Sequence, residues 1–208
     1  MPIVVAIAIA GMSVGWLPPS PSADGYDPAP RIHWRDSISI GTPDDGALER
    51  GVRLPAQGTA YFTWDPVLKR QPDSDWRRWG TDDLVRTTLR VLREFHRRHP
   101  HAPRVGVGDL GLRHGGYFGP EVGGGIGHFT HQSGLDVDVY YPRVDGAERP
   151  PDTVDAVDVR RAQELVDMFV AAGAVTIYVG PNLPLSGPTD IVSPLVNHDN
   201  HLHVRIAP

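Results

Sequence analysis

The sequence predicts an α+β domain with a central, mostly antiparallel sheet, flanking helices and long loops rich in glycine and proline. Short segments in which apolar and polar residues alternate indicate strands, and two longer segments with apolar residues at helical spacing indicate helices. These segments do not follow a regular βαβ rhythm, which favours an antiparallel sheet. Glycine (23 residues) and proline (21 residues) are enriched in the 208-residue chain, which predicts many turns.

Six strands and two helices are predicted along the chain. Thr81 is a suitable N-cap for the first helix, because Asp82 and Asp83 follow it and complement the helix dipole, and Pro100 ends that helix. The second helix is predicted over residues 154–172, with Gly173 as its C-cap. The strands are predicted at residues 37–41, 59–64, 104–109, 135–140, 175–179 and 201–206, and a glycine-rich loop at residues 111–127.

The first 36 residues are predicted to lie outside the folded domain. Residues 2–17 contain no charged residue and are followed by small residues, so residues 1–23 resemble a secretory signal peptide. Residues 24–36 have the composition of a linker, which leaves residues 37–208 as one domain. No lysine or arginine precedes the apolar run, so its cleavage or retention as an anchor stays open. We expect an exported protein, periplasmic or extracellular.

Composition excludes several classes of protein. The chain has 20 basic and 25 acidic residues and a net charge of -5, which argues against a nucleic-acid partner. It has no cysteine, which excludes a disulfide framework, a thiolate nucleophile, a cysteine-ligated zinc finger and a lipid anchor on cysteine. It contains no His-Glu-x-x-His string, and its Gly-x-Ser-x-Gly string, at residues 11–15, lies in the signal peptide-like segment outside the predicted domain. The ten histidines are the compositional feature that indicates chemistry.

Half of the histidines lie in two short segments. The first, GHFTHQSGLDVD, begins at residue 127, and the second, HDNHLHVR, begins at residue 198. Successive side chains of a strand point to opposite faces, so Asp136 and Asp138 share a face of one strand. By the same rule His201, His203 and Arg205 share a face of another. If the two strands pair, we expect the acidic and imidazole faces to meet on one exposed side of the sheet.

A carboxylate with two or three imidazoles on a rigid sheet is typical of a catalytic zinc site. Zinc binds both groups at about 2.0–2.1 Å and keeps one position open for water. Gly134 would let the loop after His131 turn tightly into the strand. Each pattern alone is weak, because Asp-x-Asp could bind magnesium or calcium or be solvated, and His-x-His could be an ordinary surface pair. Alternation does not choose between Asp136 and Asp138.

The residues resemble the LAS-type zinc peptidases, a group named after lysostaphin, the D-Ala-D-Ala peptidases and sonic hedgehog. His131 and Asp138 are 7 positions apart, and a His-x-His string follows near the C-terminus. Ser-Ile-Gly at residues 39–41, Gly-Asp-Leu-Gly at 108–111 and the two histidine segments resemble the penicillin-insensitive murein endopeptidase family in particular. The resemblance covers residues 37–205 and implies a LAS/hedgehog-like core. The chain departs from better-known members in lacking cysteines and in its short C-terminal tail.

The resemblance implies roles for individual residues. His131, Asp138 and His203 would bind zinc, one ion per chain. His201 would take a proton from the attacking water or hold the oxyanion, and His198 would be a further active-site histidine.

Three further residues are expected behind the ligands or on the substrate side. Asp136 would orient a ligand histidine, as carboxylates next to metal sites commonly do. His128 would lie behind the ligands or near the substrate, and Asp109 would line the cleft.

The resemblance implies peptidoglycan as the partner and the D-Ala to meso-diaminopimelate cross-link between stem peptides as the bond hydrolysed by metal-activated water. One alternative is a D,D-carboxypeptidase or D-Ala-D-Ala dipeptidase with the same zinc core, in which Arg113 or Arg205 would hold a free carboxylate. Another is a non-catalytic, zinc-stabilised module that binds the cell wall. The oligomeric state stays open.

Overall fold

The computed structural model describes residues 31–208, which contain ten strands and two α-helices. Short 3-10 turns lie at Asp75–Arg77 and Val154–Ala156. The helices are α1 (Asp82–Arg98) and α2 (Val159–Ala171). The strands are β1 (Ile38–Thr42), β2 (Asp45–Glu49), β3 (Val52–Arg53), β4 (Tyr61–Thr63), β5 (Trp79–Gly80), β6 (Val105–Val107), β7 (Asp136–Tyr140), β8 (Ala174–Val179), β9 (Val192–Pro194) and β10 (His201–Ile206).

Six of these strands form a central mixed sheet in the order β4-β6-β7-β10-β8-β9. The inner neighbours β6, β7, β10 and β8 pair antiparallel, whereas β4 and β9 add parallel strands at the two edges. Two further sheets have two strands each, β1 with β2 and β3 with β5. The predicted α+β class and the mostly antiparallel sheet are confirmed.

The alternation along the central strands separates a core face from a polar face. Val137 and Val139 of β7 and Leu202 and Val204 of β10 are fully buried and belong to one apolar cluster with the buried side chains of α1 and α2. The helices therefore lie against this face. The polar side chains of the same two strands point to the opposite face, where no helix of the described residues covers them.

The first helix begins and ends as predicted. The Thr81 hydroxyl accepts a hydrogen bond from the backbone N–H of Leu84 at 3.1 Å, which satisfies one of the free donors at the helix start. Asp82 lies in the first turn, where its charge complements the helix dipole. The helix ends at Arg98, two residues before Pro100.

The second helix is shorter than predicted, because the backbone leaves the helical conformation between residues 156 and 159. Val154–Ala156 form a 3-10 turn, and α2 begins only after Asp158. The Asp158 carboxylate accepts from the backbone N–H of Arg161 at 3.1 Å, and this N-cap sets the start of the helix. Gly173 follows the helix with a φ of 93°, a conformation that favours glycine and agrees with the predicted end.

Four short strands were not predicted, namely β2, β3, β5 and β9. β3 and β5 have two residues each and β9 has three, which is too few for alternation to be detected. β2 pairs with β1 in a hairpin whose turn is formed by Pro43 and Asp44, and Gly41 near the end of β1 has a φ of 75°. These strands depend on their partners across the fold rather than on their own pattern.

The signal peptide-like segment at residues 1–23 and most of the linker lie outside the described residues, so the domain boundaries stay predictions. Residues 31–36 have no regular secondary structure, but Ile32 packs against the core, and the Arg86 guanidinium lies 3.9 Å from the centre of the Trp34 ring. No helix within residues 31–208 has the length and apolar character needed to span a bilayer.

The N-cap of α1 provides a test of the fold. Replacing Thr81 by Ala removes the bond to the Leu84 N–H, and we expect the free energy of unfolding to fall by about 1 kcal/mol in urea titrations. The matched control is Thr87→Ala in the same helix, which removes no cap and should leave stability unchanged or slightly higher. Equal effects of the two substitutions would contradict the assigned cap.

Candidate metal centre

The pairing of β7 with β10 brings the two predicted segments together. His203 lies directly opposite Asp138, and Arg205 lies opposite Asp136. The meeting of an acidic and an imidazole face is therefore confirmed, but its predicted exposure is wrong. Asp136, Asp138 and His203 are 0%, 5% and 4% exposed. The reason is that the loops carrying His128 and the segment before β10 fold over this face of the sheet.

A tight turn carries His131 back against the strand pair. Its backbone has a φ of 67°, which is uncommon for a residue with a side chain, and Gly134 follows with a φ of 76°. A Cβ at Gly134 would lie 2.9 Å from the Leu48 side chain, so space and conformation both require glycine. The backbone N–H of His131 donates to Asp136 Oδ2 at 3.3 Å, and the His131 side chain is completely buried. The turn therefore holds His131 beside the paired strands.

Three atoms that can bind a metal lie at the corners of a small triangle. His131 Nε2 is 3.1 Å from His203 Nδ1 and 3.3 Å from Asp138 Oδ1. His203 Nδ1 is 3.3 Å from the same Asp138 oxygen. Tetrahedral ligands at about 2.0–2.1 Å from zinc are about 3.3 Å apart, because the edge of a tetrahedron is about 1.63 times its centre-to-corner distance. The spacing of the three atoms fits one ion of this size.

The outer hydrogen bonds of both histidines direct their lone pairs into this triangle. His131 Nδ1 lies 2.8 Å from the carbonyl oxygen of Leu110, which can only accept, so Nδ1 carries the proton. His203 Nε2 lies 2.9 Å from Asp136 Oδ1, and the neutral ring therefore donates from Nε2. His131 Nε2 and His203 Nδ1 are then both acceptors, and they face each other and a carboxylate oxygen. When both rings are neutral, these three buried acceptors can hold a cation between them.

His128 supplies a further imidazole to the same cluster. One ligand atom each from His128, His131 and Asp138 lie within 4.8 Å of one another. His128 Nδ1 is 3.6 Å from Asp138 Oδ2, while its Nε2 is 2.6 Å from Asp109 Oδ2. The described residues therefore contain a candidate metal site built from a carboxylate and two or three imidazoles.

Burial and close contacts set the charges in the cluster. Burial alone would raise the pKa of Asp138, but the imidazoles of His131 and His201 outweigh it and hold this pKa well below the usual value. Burial alone would lower the pKa of His203, but hydrogen bonds to Asp136 and Asp138 raise it overall. Burial lowers the pKa of His201 to about 4. The polar face of the strand pair thus combines ionised carboxylate with imidazole in a nearly dry setting, which favours a bound cation.

The triangle opens into a cleft of about 680 Å³. His198 and His201 line it with their ring centres 4.7 Å apart. Phe129 is 82% exposed at the cleft and offers an apolar contact surface. His201 Nδ1 donates to Asn200 Oδ1 at 2.6 Å, which leaves the lone pair on Nε2, 3.8 Å from Asp138 Oδ1. The cleft is large enough for a peptide segment and has a proton acceptor beside the triangle.

Arg77, which the sequence analysis did not identify, holds the part of the site around His128. Its side chain is 0% exposed, and its Nε and Nη2 donate to both oxygens of Asp109 at 2.6 and 2.5 Å. Asp109 therefore lies beneath His128 rather than on the cleft wall. Arg77 also donates to the carbonyl oxygens of Gly123 and Ile126 in the glycine-rich loop. No local pattern marks Arg77, because Asp109 is 32 residues away in the chain.

All eight residues that the sequence singled out meet at this cluster or contact it directly. They are His128, His131, Asp136, Asp138, His198, His201, His203 and Asp109.

The buried ion pair gives a stability prediction. In Arg77→Met the Asp109 carboxylate loses the two hydrogen bonds from Arg77 while it stays buried, and we expect the free energy of unfolding to fall by about 3–5 kcal/mol. Arg97→Met is the control, because Arg97 pairs with Glu94 at the exposed end of α1 and should leave stability nearly unchanged. Urea unfolding followed by circular dichroism measures both. A small loss for Arg77→Met would contradict the assigned role.

Comparisons with known proteins identify the family. The family model described as penicillin-insensitive murein endopeptidase matches residues 39–174, which is more than half of the chain. The matched range contains His128, His131, Asp136 and Asp138 and ends before His203.

Curated relatives agree with the family model. A penicillin-insensitive murein endopeptidase of Klebsiella pneumoniae (strain 342) is 33% identical over 103 residues, which is 49% of this chain and 32% of that protein. A protein of the same name from Salmonella arizonae is also 33% identical over 103 residues, which is 49% of this chain and 32% of that protein. The alignments therefore cover about a third of the length of these relatives. On the family match over residues 39–174, this chain belongs to the penicillin-insensitive murein endopeptidase family.

Proposed function

We propose that this protein is a zinc-dependent peptidoglycan hydrolase that cleaves the D-Ala to meso-diaminopimelate cross-link between stem peptides. The observation that carries the proposal is the buried triangle of His131 Nε2, His203 Nδ1 and Asp138 Oδ1, whose lone pairs converge with the spacing of zinc ligands. The family match supplies the substrate class. The proposal includes a LAS/hedgehog-like catalytic core and one zinc ion per chain.

The ligand set that we propose is His131, Asp138 and His203. The outer nitrogen of each histidine is already bonded, to the Leu110 carbonyl and to Asp136, so the ring orientations are set before the ion binds. We place His128 behind the ligands, because its Nε2 is held by Asp109 and its Nδ1 is farther from Asp138 than the other two imidazole nitrogens are.

The chemistry that zinc supplies at such a site is Lewis acidity, which lowers the pKa of a water to about 7 and polarises a carbonyl. The protein supplies the proton acceptor, because the Asn200 bond fixes the tautomer of His201 with its Nε2 lone pair toward the triangle. His198, whose Nδ1 donates to the Val196 carbonyl at 2.8 Å, stands next to His201 and can stabilise developing negative charge. Burial of the triangle excludes bulk water from the reacting groups.

An endopeptidase fits the cleft better than a carboxypeptidase does. A carboxypeptidase needs a cation to hold a free terminal carboxylate, and Arg113 and Arg205 were the candidates for this role in the sequence analysis. Arg113 does not line the cleft, and the Nε of Arg205, which does, donates to Asp136 at 2.6 Å. Phe129 and Val196 instead give the cleft an exposed apolar rim suited to a longer, internal segment of peptide.

A non-catalytic wall-binding module is disfavoured, because such a module has no use for a proton acceptor beside the metal. His201 keeps a free lone pair in the cleft. Action on peptidoglycan also agrees with the proposed export to the periplasm or the cell wall.

Chelation gives the direct test of the reaction. Purified protein is incubated with cross-linked muropeptide dimers, and the products are measured by mass spectrometry. We expect dimers to be converted to monomers with zinc present, and a chelator to abolish this conversion. Loss of a terminal D-Ala from intact dimers would instead support the carboxypeptidase. If dimers and terminal residues both stay intact with zinc bound, the proposed function is wrong.

Metal content separates ligands from the other histidines. We expect His203→Ala to lose both zinc and activity, whereas His201→Ala should keep zinc and lose about 10²–10⁴-fold in turnover, the usual effect of a general base. His128→Ala is the matched control for ligation and should retain about one zinc per chain. Zinc retention by His203→Ala together with loss from His128→Ala would reverse the assignment of the third ligand.

A further inference from the structure

A second cavity, of about 360 Å³, lies apart from the cleft and is lined by arginines. Arg31 and Arg35 precede the first strand, Arg53 ends β3, and Arg113 lies in the glycine-rich loop. Trp79 of β5 also lines the cavity. None of these residues lines the cleft over the metal cluster.

The charge of this cavity, which we call the arginine pocket, is opposite to that of the whole chain. The chain carries a net charge of -5, whereas four guanidinium groups line the arginine pocket and no acidic residue does. Among the described residues, the only carboxylate paired with a lining arginine is that of Asp75, 2.8 Å from Arg53 Nη1, and it is shared with Arg78. The arginine pocket therefore keeps a strong excess of positive charge, which favours an anionic ligand.

The pairing of β3 with β5 builds the floor of the arginine pocket. Arg53 and Trp79 are direct partners in this pair. The Cζ atoms of Arg53 and Arg113 lie 5.8 and 5.5 Å from the centre of the same Trp79 ring. Two guanidinium groups near one aromatic ring repel each other, and a bound anion reduces that repulsion. This arrangement favours an oxyanion as the ligand.

We propose that the arginine pocket binds carboxylate groups of peptidoglycan stem peptides, on a strand other than the one held in the cleft. The proposal rests on the proposed function for its ligand, because stem peptides are rich in free carboxylates. The planar guanidinium group matches a carboxylate through two parallel hydrogen bonds, and four such groups can hold several carboxylates of one strand. A neutral glycan alone gives these groups no anionic partner.

The arginine pocket and the metal cluster share one rigid segment of backbone. The Trp79 N–H donates to the Gly111 carbonyl at 3.1 Å, and the neighbouring Leu110 carbonyl holds His131. A strand bound in the arginine pocket is thus held at a constant position relative to the cleft. Such a second contact raises the effective concentration of cross-links near the cleft on an insoluble wall, whereas a small soluble substrate gains little.

Binding is measured in the His201→Ala background, in which we expect turnover to fall about 10²–10⁴-fold. The probe is a purified disaccharide tripeptide from peptidoglycan, which has free carboxylates and no cross-link, and its affinity is followed by isothermal titration calorimetry. The test variant is Arg53→Gln with Arg113→Gln. The matched control is Arg93→Gln with Arg160→Gln, which removes the same charge from two exposed arginines outside the arginine pocket.

We expect the test variant to bind the tripeptide probe roughly tenfold more weakly, and the control variant to bind like the parent. In the active protein, we expect the test variant to cleave soluble dimers at the normal rate and intact sacculi several-fold more slowly. Equal binding by the test and control variants would overturn the proposal. Inorganic phosphate is titrated in parallel. If the test variant weakened the binding of phosphate but not that of the tripeptide probe, the carboxylate assignment would be wrong. Absence of dimer cleavage in the parent would refute the proposed function without affecting the binding comparison.

Discussion

The structure depends on one close contact, in which His131 Nε2, His203 Nδ1 and Asp138 Oδ1 lie 3.1–3.3 Å from one another in a buried setting. Imidazole and carboxylate atoms buried this close together need positive charge among them, from a proton on an imidazole or from a bound cation. The Leu110 carbonyl holds His131 and Asp136 holds His203 from outside, so neither ring can turn away without losing a buried bond. The antiparallel pairing of β7 with β10 and the turn at Gly134 bring these three atoms together.

A second buried charge network supports the walls of the site. Arg77 lies between two carboxylates: it donates two hydrogen bonds to Asp109, and its Nε is 3.8 Å from Asp73 Oδ1. Burial, followed by the nearby charge of Asp109, raises the pKa of Asp73 to about 8. Through Asp109 this network positions His128, and through two carbonyl oxygens it holds the glycine-rich loop. The loop that borders the cleft is thus tied to the core by charge as well as by backbone.

Much of this organisation could be predicted from periodicity and caps. β10 has the predicted bounds, and α1 starts at its predicted cap, because each has a strong local pattern. β3 and β5 could not be predicted, since two residues have no period, and their pairing creates the arginine pocket floor. The break before α2 was missed because the apolar residues of 154–172 follow one helical spacing, and only the bond from the Arg161 N–H to the Asp158 carboxylate marks where α2 begins.

The sequence by itself determined the chemistry of the site: which histidines and aspartates share a strand face follows from a period of two. It left Asp136 and Asp138 equivalent, and it could not show that the shared face is buried. Tertiary structure decided both points, because the register of β7 against β10 places Asp138 opposite His203 and turns Asp136 toward the outer nitrogen of that ring. The tertiary structure also places Arg77 beside Asp109, although the two residues are 32 positions apart in the chain. The ion pair depends on their distance in space, and no local sequence pattern encodes that distance.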